Sequence, residues 1–127
     1  MIYYQDQHIT LYHGDCREIA PTLGRFDLLL TDPPYGETSL AWDRWPDGWP
    51  SLIPGRSMWC FGSVRMFLQH CDEFDGWKLS QDVVWEKHNG SNSANDRFRR
   101  LHELALHFYR GEWADVFKAP QYTNDAT

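Results

Sequence analysis

Phe26-Asp27-Leu28-Leu29-Leu30-Thr31-Asp32-Pro33-Pro34-Tyr35 decides more about this chain than any other stretch. Residues 26–31 form a short, nearly continuous apolar run, the pattern of a strand buried in a parallel sheet. In open α/β sheets, ligands bind just beyond the carboxyl ends of such strands, which is where Asp32 stands. Two successive prolines fix φ, remove two backbone donors and press the residue before them into extended geometry. The turn is therefore stiff, with carbonyls left unpaired by a ladder, and it holds an acid at one end and an aromatic ring at the other. A site that grips a planar ring bearing an NH₂ group needs that combination of acceptors and a flat face. The bland competitor is a Pro-Pro turn that merely ends a strand, with Tyr35 as a packing residue.

Working outward from this stretch, residues 9–13 read as a strand and Cys16 to Leu23 as a short helix, with Pro21 an awkward resident near its end. Glu37 to Pro54 holds Pro46, Gly48, Pro50 and Pro54 among Trp42, Trp45 and Trp49, and reads as a long loop with one helical turn. Those tryptophans either close over a ligand as a lid or cover core. A strand at 57–61 follows, then a helix from Val64 to Phe74. Strands at 81–86 and 104–109 flank the polar segment Gly90-Ser91-Asn92-Ser93-Ala94-Asn95. Strands alternating with helices at this spacing make an α/β domain, and the final pair, lacking a crossover helix, is expected to be antiparallel.

Length and composition set the limits. A chain of 127 residues is one domain, large enough for a real core. Seven Trp, seven Phe and six Tyr are a heavy aromatic load, and flat rings serve cores and base stacking equally well. No apolar run is long enough to span a bilayer, so no membrane association is expected. Cys16, Cys60 and Cys71 make an odd count without a Cys-x-x-Cys pair, which fits a reduced, cytoplasmic protein better than a disulfide framework. His102 and His107 have no ligand spacing and no acid–Cys cluster beside them, so no metal site is expected. The net charge of −6 argues mildly against nucleic acid. Its distribution softens that objection, because Lys87, Arg97, Arg99, Arg100 and Arg110 fall in one stretch against Glu86, Asp96 and Glu103.

At this point the sequence resembles a known family. Asp32-Pro33-Pro34-Tyr35 is similar to the active-site tetrapeptide of the amino-group DNA methyltransferases, which methylate adenine at N6 or cytosine at N4. The likeness extends to His13-Gly14-Asp15-Cys16, to Ser57-Met58-Trp59-Cys60-Phe61-Gly62 and to Asp82–Gly90. It ends with Arg97-Phe98-Arg99-Arg100-Leu101-His102-Glu103 running into residues 104–111. The order resembles the subgroup in which the Asp-Pro-Pro-Tyr half comes first, and the likeness covers roughly residues 9 to 111.

The resemblance implies a partial Rossmann-like sheet with a terminal antiparallel strand pair, S-adenosylmethionine as methyl donor, and DNA as substrate. By resemblance, the Asp32 carboxylate and Pro33 carbonyl accept from the amine while Pro34 completes the turn and Tyr35 stacks on the flipped base. Asp opening the tetrapeptide favours adenine. Asp15 would touch the adenine end of the donor, alongside Asp32, or would simply cap the helix starting near Cys16; both readings stay open. Lys87, Arg97, Arg99, Arg100 and His102 resemble the DNA-facing elements, with Glu103 beside the pocket, although a charge run is usually a solvated face. The resemblance also implies a target-recognition region and a Phe-x-Gly-x-Gly donor strand. Neither is found before Asn124-Asp125-Ala126-Thr127, so the expectation is an incomplete catalytic portion, complemented by a second chain or a missing C-terminal half. The rival is a non-catalytic nucleic-acid-binding or assembly module that keeps the fold.

Overall fold

The computed structural model describes residues 1–91 and 96–116. Asn92-Ser93-Ala94-Asn95 and the end of the chain at Asn124–Thr127, both singled out above, lie outside the described residues.

Among the described residues, six strands and four short helices follow in chain order. They are β1 (Ile2–Gln5), β2 (Thr10–Tyr12), α1 (Cys16–Ile19), β3 (Leu29–Thr31), α2 (Trp49–Leu52), β4 (Ser57–Gly62), α3 (Val64–Gln69), β5 (Lys78–Ser91), β6 (Arg100–Tyr109) and α4 (Trp113–Val116). Strands β3, β4, β6 and β5 form one sheet in that order, and β1 pairs with β2 as a separate hairpin. Leu30 sits opposite Trp59 in the parallel β3–β4 ladder, and β6 runs antiparallel to both β4 and β5. This is an α/β fold with a partial Rossmann-like sheet and the expected antiparallel pair at its end.

Several boundaries differ from the sequence reading, each for a local reason. Residues 26–28 do not join the ladder, and only Leu29–Thr31 pair with β4. The helix expected to Leu23 stops at Ile19, and Pro21 opens a 3₁₀ turn over Ala20–Thr22, a position where its missing N–H costs little. The helix expected over 64–74 breaks at His70 and resumes as a 3₁₀ turn, Cys71–Phe74. Strands β5 and β6 are longer than expected, with register irregularities at Leu79/Gln81 and Glu86/Ser91. Strand β1 was not expected at all. Its turn is closed by the Asp6 carboxylate, which accepts from the His8 and Ile9 amides at 2.7 and 2.8 Å.

The core lies on one face of the sheet. Met58, Cys60 and Phe108 from the strands meet Trp49 and Ile53 of the loop region, Met66 of α3, Phe74 and Trp77. Gly62 permits this, because a Cβ there would come within 2.7 Å of the Phe67 ring. α3 therefore packs closely against the strand end. Ser63 caps that helix by accepting from the Met66 amide at 3.1 Å. Burial among these side chains pushes the Cys60 thiol up to about 12. All three cysteines are reduced thiols. Among the described residues, no helix is long and apolar enough to cross a membrane.

Arg110, counted above with the basic stretch, belongs to this packing instead. Its guanidinium lies 3.8 Å over the Trp77 ring and donates to the carbonyls of Ile53, Gly55 and Pro50. It ties the end of β6 to the loop before β4.

Candidate active site

The carboxyl end of β3 delivers the chain into Asp32, which is exposed, then Pro33, which is buried. Pro34 and Tyr35 are half-buried. All four line a cavity of about 560 Å³ together with Glu37, Thr38, Trp42, Asp43, Lys87, Arg100 and Glu103. Tyr35 packs against the core and donates its hydroxyl to Asp32 Oδ1 at 2.9 Å. Burial first, and then this bond to a carboxylate, raise the Tyr35 pKa well above the ordinary tyrosine value, so the phenol stays neutral and remains a donor. Acid and ring are thus held as a unit at the mouth of the strand. Tyr35 both packs against the core and lines the cavity.

The cavity walls are ionic. Lys87 Nζ of β5 pairs with Glu103 Oε1 of β6 at 2.7 Å, and Arg100 Nη1 pairs with Glu37 Oε2 at 3.4 Å. Glu37 also accepts from the Ser63 hydroxyl at the N-terminus of α3. The first pair ties β5 to β6 across the hairpin, and the second joins β6 to the segment that follows Tyr35.

That segment is shaped by one carboxylate that sequence reasoning missed. Asp43 is only 3% exposed. Its Oδ1 accepts from the Gly36 amide at 2.8 Å, and its Oδ2 accepts from the Glu37 and Thr38 amides at 3.0 and 2.7 Å. Hydrogen bonding from Thr38, then from the Gly36 amide, lowers its pKa. Gly36 takes a φ of +72°, a left-handed conformation that a side chain would strain. The chain therefore turns sharply after Tyr35 and is clamped from within.

The three loop tryptophans separate into two kinds. Trp49 is buried in the core. Trp45 stacks on His70 at 4.1 Å, and its Nε1 donates to Glu73 Oε2 at 2.5 Å. Glu73 also accepts from the Gly48 amide. These two are anchors. Trp42 alone of the three lines the cavity.

Other expected site residues fall elsewhere. Asp15 caps α1, accepting from the Arg17 amide at 2.9 Å and pairing with the Arg17 guanidinium at 2.6 Å. The Arg17 side chain, then the Arg17 amide, hold its carboxyl down at about 2. Arg97 pairs with its neighbour Asp96 at 2.9 Å. Arg97, Arg99 and His102 are exposed and do not line the cavity, whereas Lys87 and Arg100 do. Among the described residues no cluster of His, Cys, Asp and Glu has the make-up of a metal site.

Comparison with known proteins agrees with this architecture. No curated protein matches the sequence. The structure of the M1.HpyAVI–SAM complex superposes with a TM-score of 0.57 at 24% identity, covering 88% of this chain and 60% of that one. A second structure, of M1.HpyAVI, gives 0.54 at 24% identity, covering 78% and 54%. At that identity the likeness speaks for the fold, and the chain spans little more than half the length of either protein. A family model described as DNA methylase, of the N6/N4 type, matches residues 26–127, which includes the Asp-Pro-Pro-Tyr turn, the clamped loop and both ionic walls. The chain belongs to the amino-group DNA methylase family.

Proposed function

We propose that this chain is the base-binding, catalytic portion of an S-adenosylmethionine-dependent enzyme that methylates the exocyclic amino group of a flipped base in DNA, most plainly adenine. One observation carries the reading: Asp32, Pro33 and Tyr35 line a single cavity of about 560 Å³, with the acid exposed and the ring held beside it.

The chemistry follows from the amine. Its lone pair is delocalised into the ring, so it is a poor nucleophile. Hydrogen bonds from its two protons to the Asp32 carboxylate and the Pro33 carbonyl favour a pyramidal nitrogen with the lone pair directed outward. S-adenosylmethionine, when bound, supplies the electrophilic methyl group. Asp32, an anion at the carboxyl end of β3, suits the cationic end of that donor. Asp15 suits its adenosine only by loosening the contact with Arg17. Extruding a base costs roughly a few kcal/mol in unstacking, and stacking on Tyr35 offsets about 1–3 kcal/mol of it. Lys87 and Arg100, though ion-paired, line the same cavity and are the cations this reading assigns to phosphates beside the extruded nucleotide.

The donor site is proposed to be completed by a second chain or by a further segment. Supporting this, Leu30 is 67% exposed on β3, which is the outer strand of the sheet, and such an edge invites pairing.

The test is transfer of a labelled methyl group to DNA by this chain, with and without a segment carrying the donor-binding strand. Asp32→Ala is expected to lower transfer at least about a hundredfold. Equal transfer by the Asp32→Ala protein would remove the mechanism. DNA binding without transfer under either condition would favour the non-catalytic module instead.

A further inference from the structure

Trp42 is 70% exposed, yet the loop beneath it is among the most firmly tied parts of the chain. The Asp43 side chain takes three backbone amides from residues 36–38. The Asp43 amide donates to the Leu40 carbonyl at 3.0 Å, and the Arg44 amide donates to the Trp42 carbonyl at 2.9 Å. Arg44 Nη1 adds a bond to the Leu40 carbonyl at 3.2 Å. Trp45 is fixed on His70 and Glu73.

A large apolar ring is therefore held by rigid neighbours on the wall of a cavity, without contributing to the core. Its surroundings there are mixed, with Pro33, Pro34 and Tyr35 beside the charged groups Asp32, Glu37, Arg100 and the Lys87–Glu103 pair. An aliphatic partner would leave those groups desolvated and poorly matched. A planar heteroaromatic ring offers a π-face to the indole and donors and acceptors at its edge.

We infer that Trp42 is a second aromatic wall of the base pocket, stacking on the nucleobase held beside Tyr35, and that Asp43 is the positioning residue that presents it. This rests on the proposed function and goes beyond it by naming a further contact to the substrate ring.

The experiment uses the full chain and a single-stranded oligonucleotide carrying one 8-azidoadenine, with photo-adducts mapped by mass spectrometry. Adducts are expected on both Trp42 and Tyr35. Binding of the unmodified oligonucleotide, followed by anisotropy, should weaken about five- to a hundredfold in Trp42→Ala and stay within about threefold in Trp42→Phe, which keeps a π-face. Because Trp42 is exposed, its thermal midpoint should be unchanged in Trp42→Ala. If that variant unfolds, the adduct map on the native chain decides. An adduct on Tyr35 alone, or unweakened binding by Trp42→Ala where Tyr35→Ala binds poorly, overturns this inference and leaves the proposed function standing. No binding by the native chain, or adducts on neither ring, overturns both.

Discussion

Leu29 and Leu30 are neighbours on β3 and live in different worlds. Leu29 packs against the core that Met58, Cys60 and Met66 fill, while Leu30 and Leu28 point to the other face and are more than half exposed. The same contrast runs through the molecule. One face of the sheet is closed by α3 and the tryptophan-rich loop. The outer edge at β3, and the separate β1–β2 hairpin with Ile2, Tyr4, Leu11 and Tyr12, carry apolar side chains that the described chain covers only in part. An isolated two-stranded hairpin is at best marginally stable. The closed flank carries the proposed base pocket; the open flank is where completion of the donor site is proposed. Rigidity on one side and exposed edges on the other are what a catalytic half requires if its second ligand is to be held by something else.

The sharpest way to break this contrast is inside the closed flank. Met66 is fully buried, so Met66→Ala should cost about 2–5 kcal/mol, a large share of the stability of a domain this size. Urea unfolding would measure it. A loss below about 1 kcal/mol would mean that this face is loosely packed and that the pocket is not rigid. A second, smaller effect is expected at Glu73, which accepts from Trp45 and Gly48 at once. Glu73→Ala should cost about 1–3 kcal/mol by leaving those donors without partners, and the near-ultraviolet circular dichroism of the tryptophans should fall with it.

A pH effect sharpens the comparison on the far face. His107 is buried between Trp59 and Trp113, with Ser57 at 2.8 Å on Nε2 and Ser80 bonded to Nδ1. Burial lowers its pKa from the usual histidine value. A histidine depressed in the fold favours the neutral ring, so its contribution is present above about pH 6.5 and lost as the pH falls below that. His107→Gln should therefore flatten the decline in thermal midpoint between about pH 7 and pH 5. An unchanged decline would mean that the serine-paired imidazole carries none of the acid sensitivity.

Much of the closed flank was legible in the sequence, and the reasons are local. The apolar run into Asp32-Pro33-Pro34-Tyr35 and the apolar, aromatic-rich stretches 57–61 and 104–109 read as strands from their own composition and length. Other features were not, because their causes lie far off in sequence. The helix breaks at His70, which stacks on Trp45, with no glycine or proline to announce it. The Asp43 clamp exists only once residues 36–38 have turned back toward it. Glu37 joins the cavity because Arg100 and Ser63 converge on it from other elements. Strand β1 carries no buried face, so no alternation marks it. The nearest sequence signal for the clamp is an acid immediately after an aromatic in a loop rich in turn formers, which is a weak signal.

The smallest expected effect is the most telling about the open flank. Leu30 is exposed on a strand only three residues long, paired on one side with Trp59 of β4. If nothing covers it, Leu30→Thr removes little from the folded chain and introduces a β-branched residue suited to a strand. The stability change should lie within about 0.5 kcal/mol, against several for Met66→Ala. The same substitution should weaken association with a segment that supplies the donor-binding strand, since the lost apolar surface is then at an interface. A change above about 2 kcal/mol in the isolated chain would show that Leu30 is already covered. The β3 edge would then be closed, and the donor site would have to be completed somewhere else on the molecule.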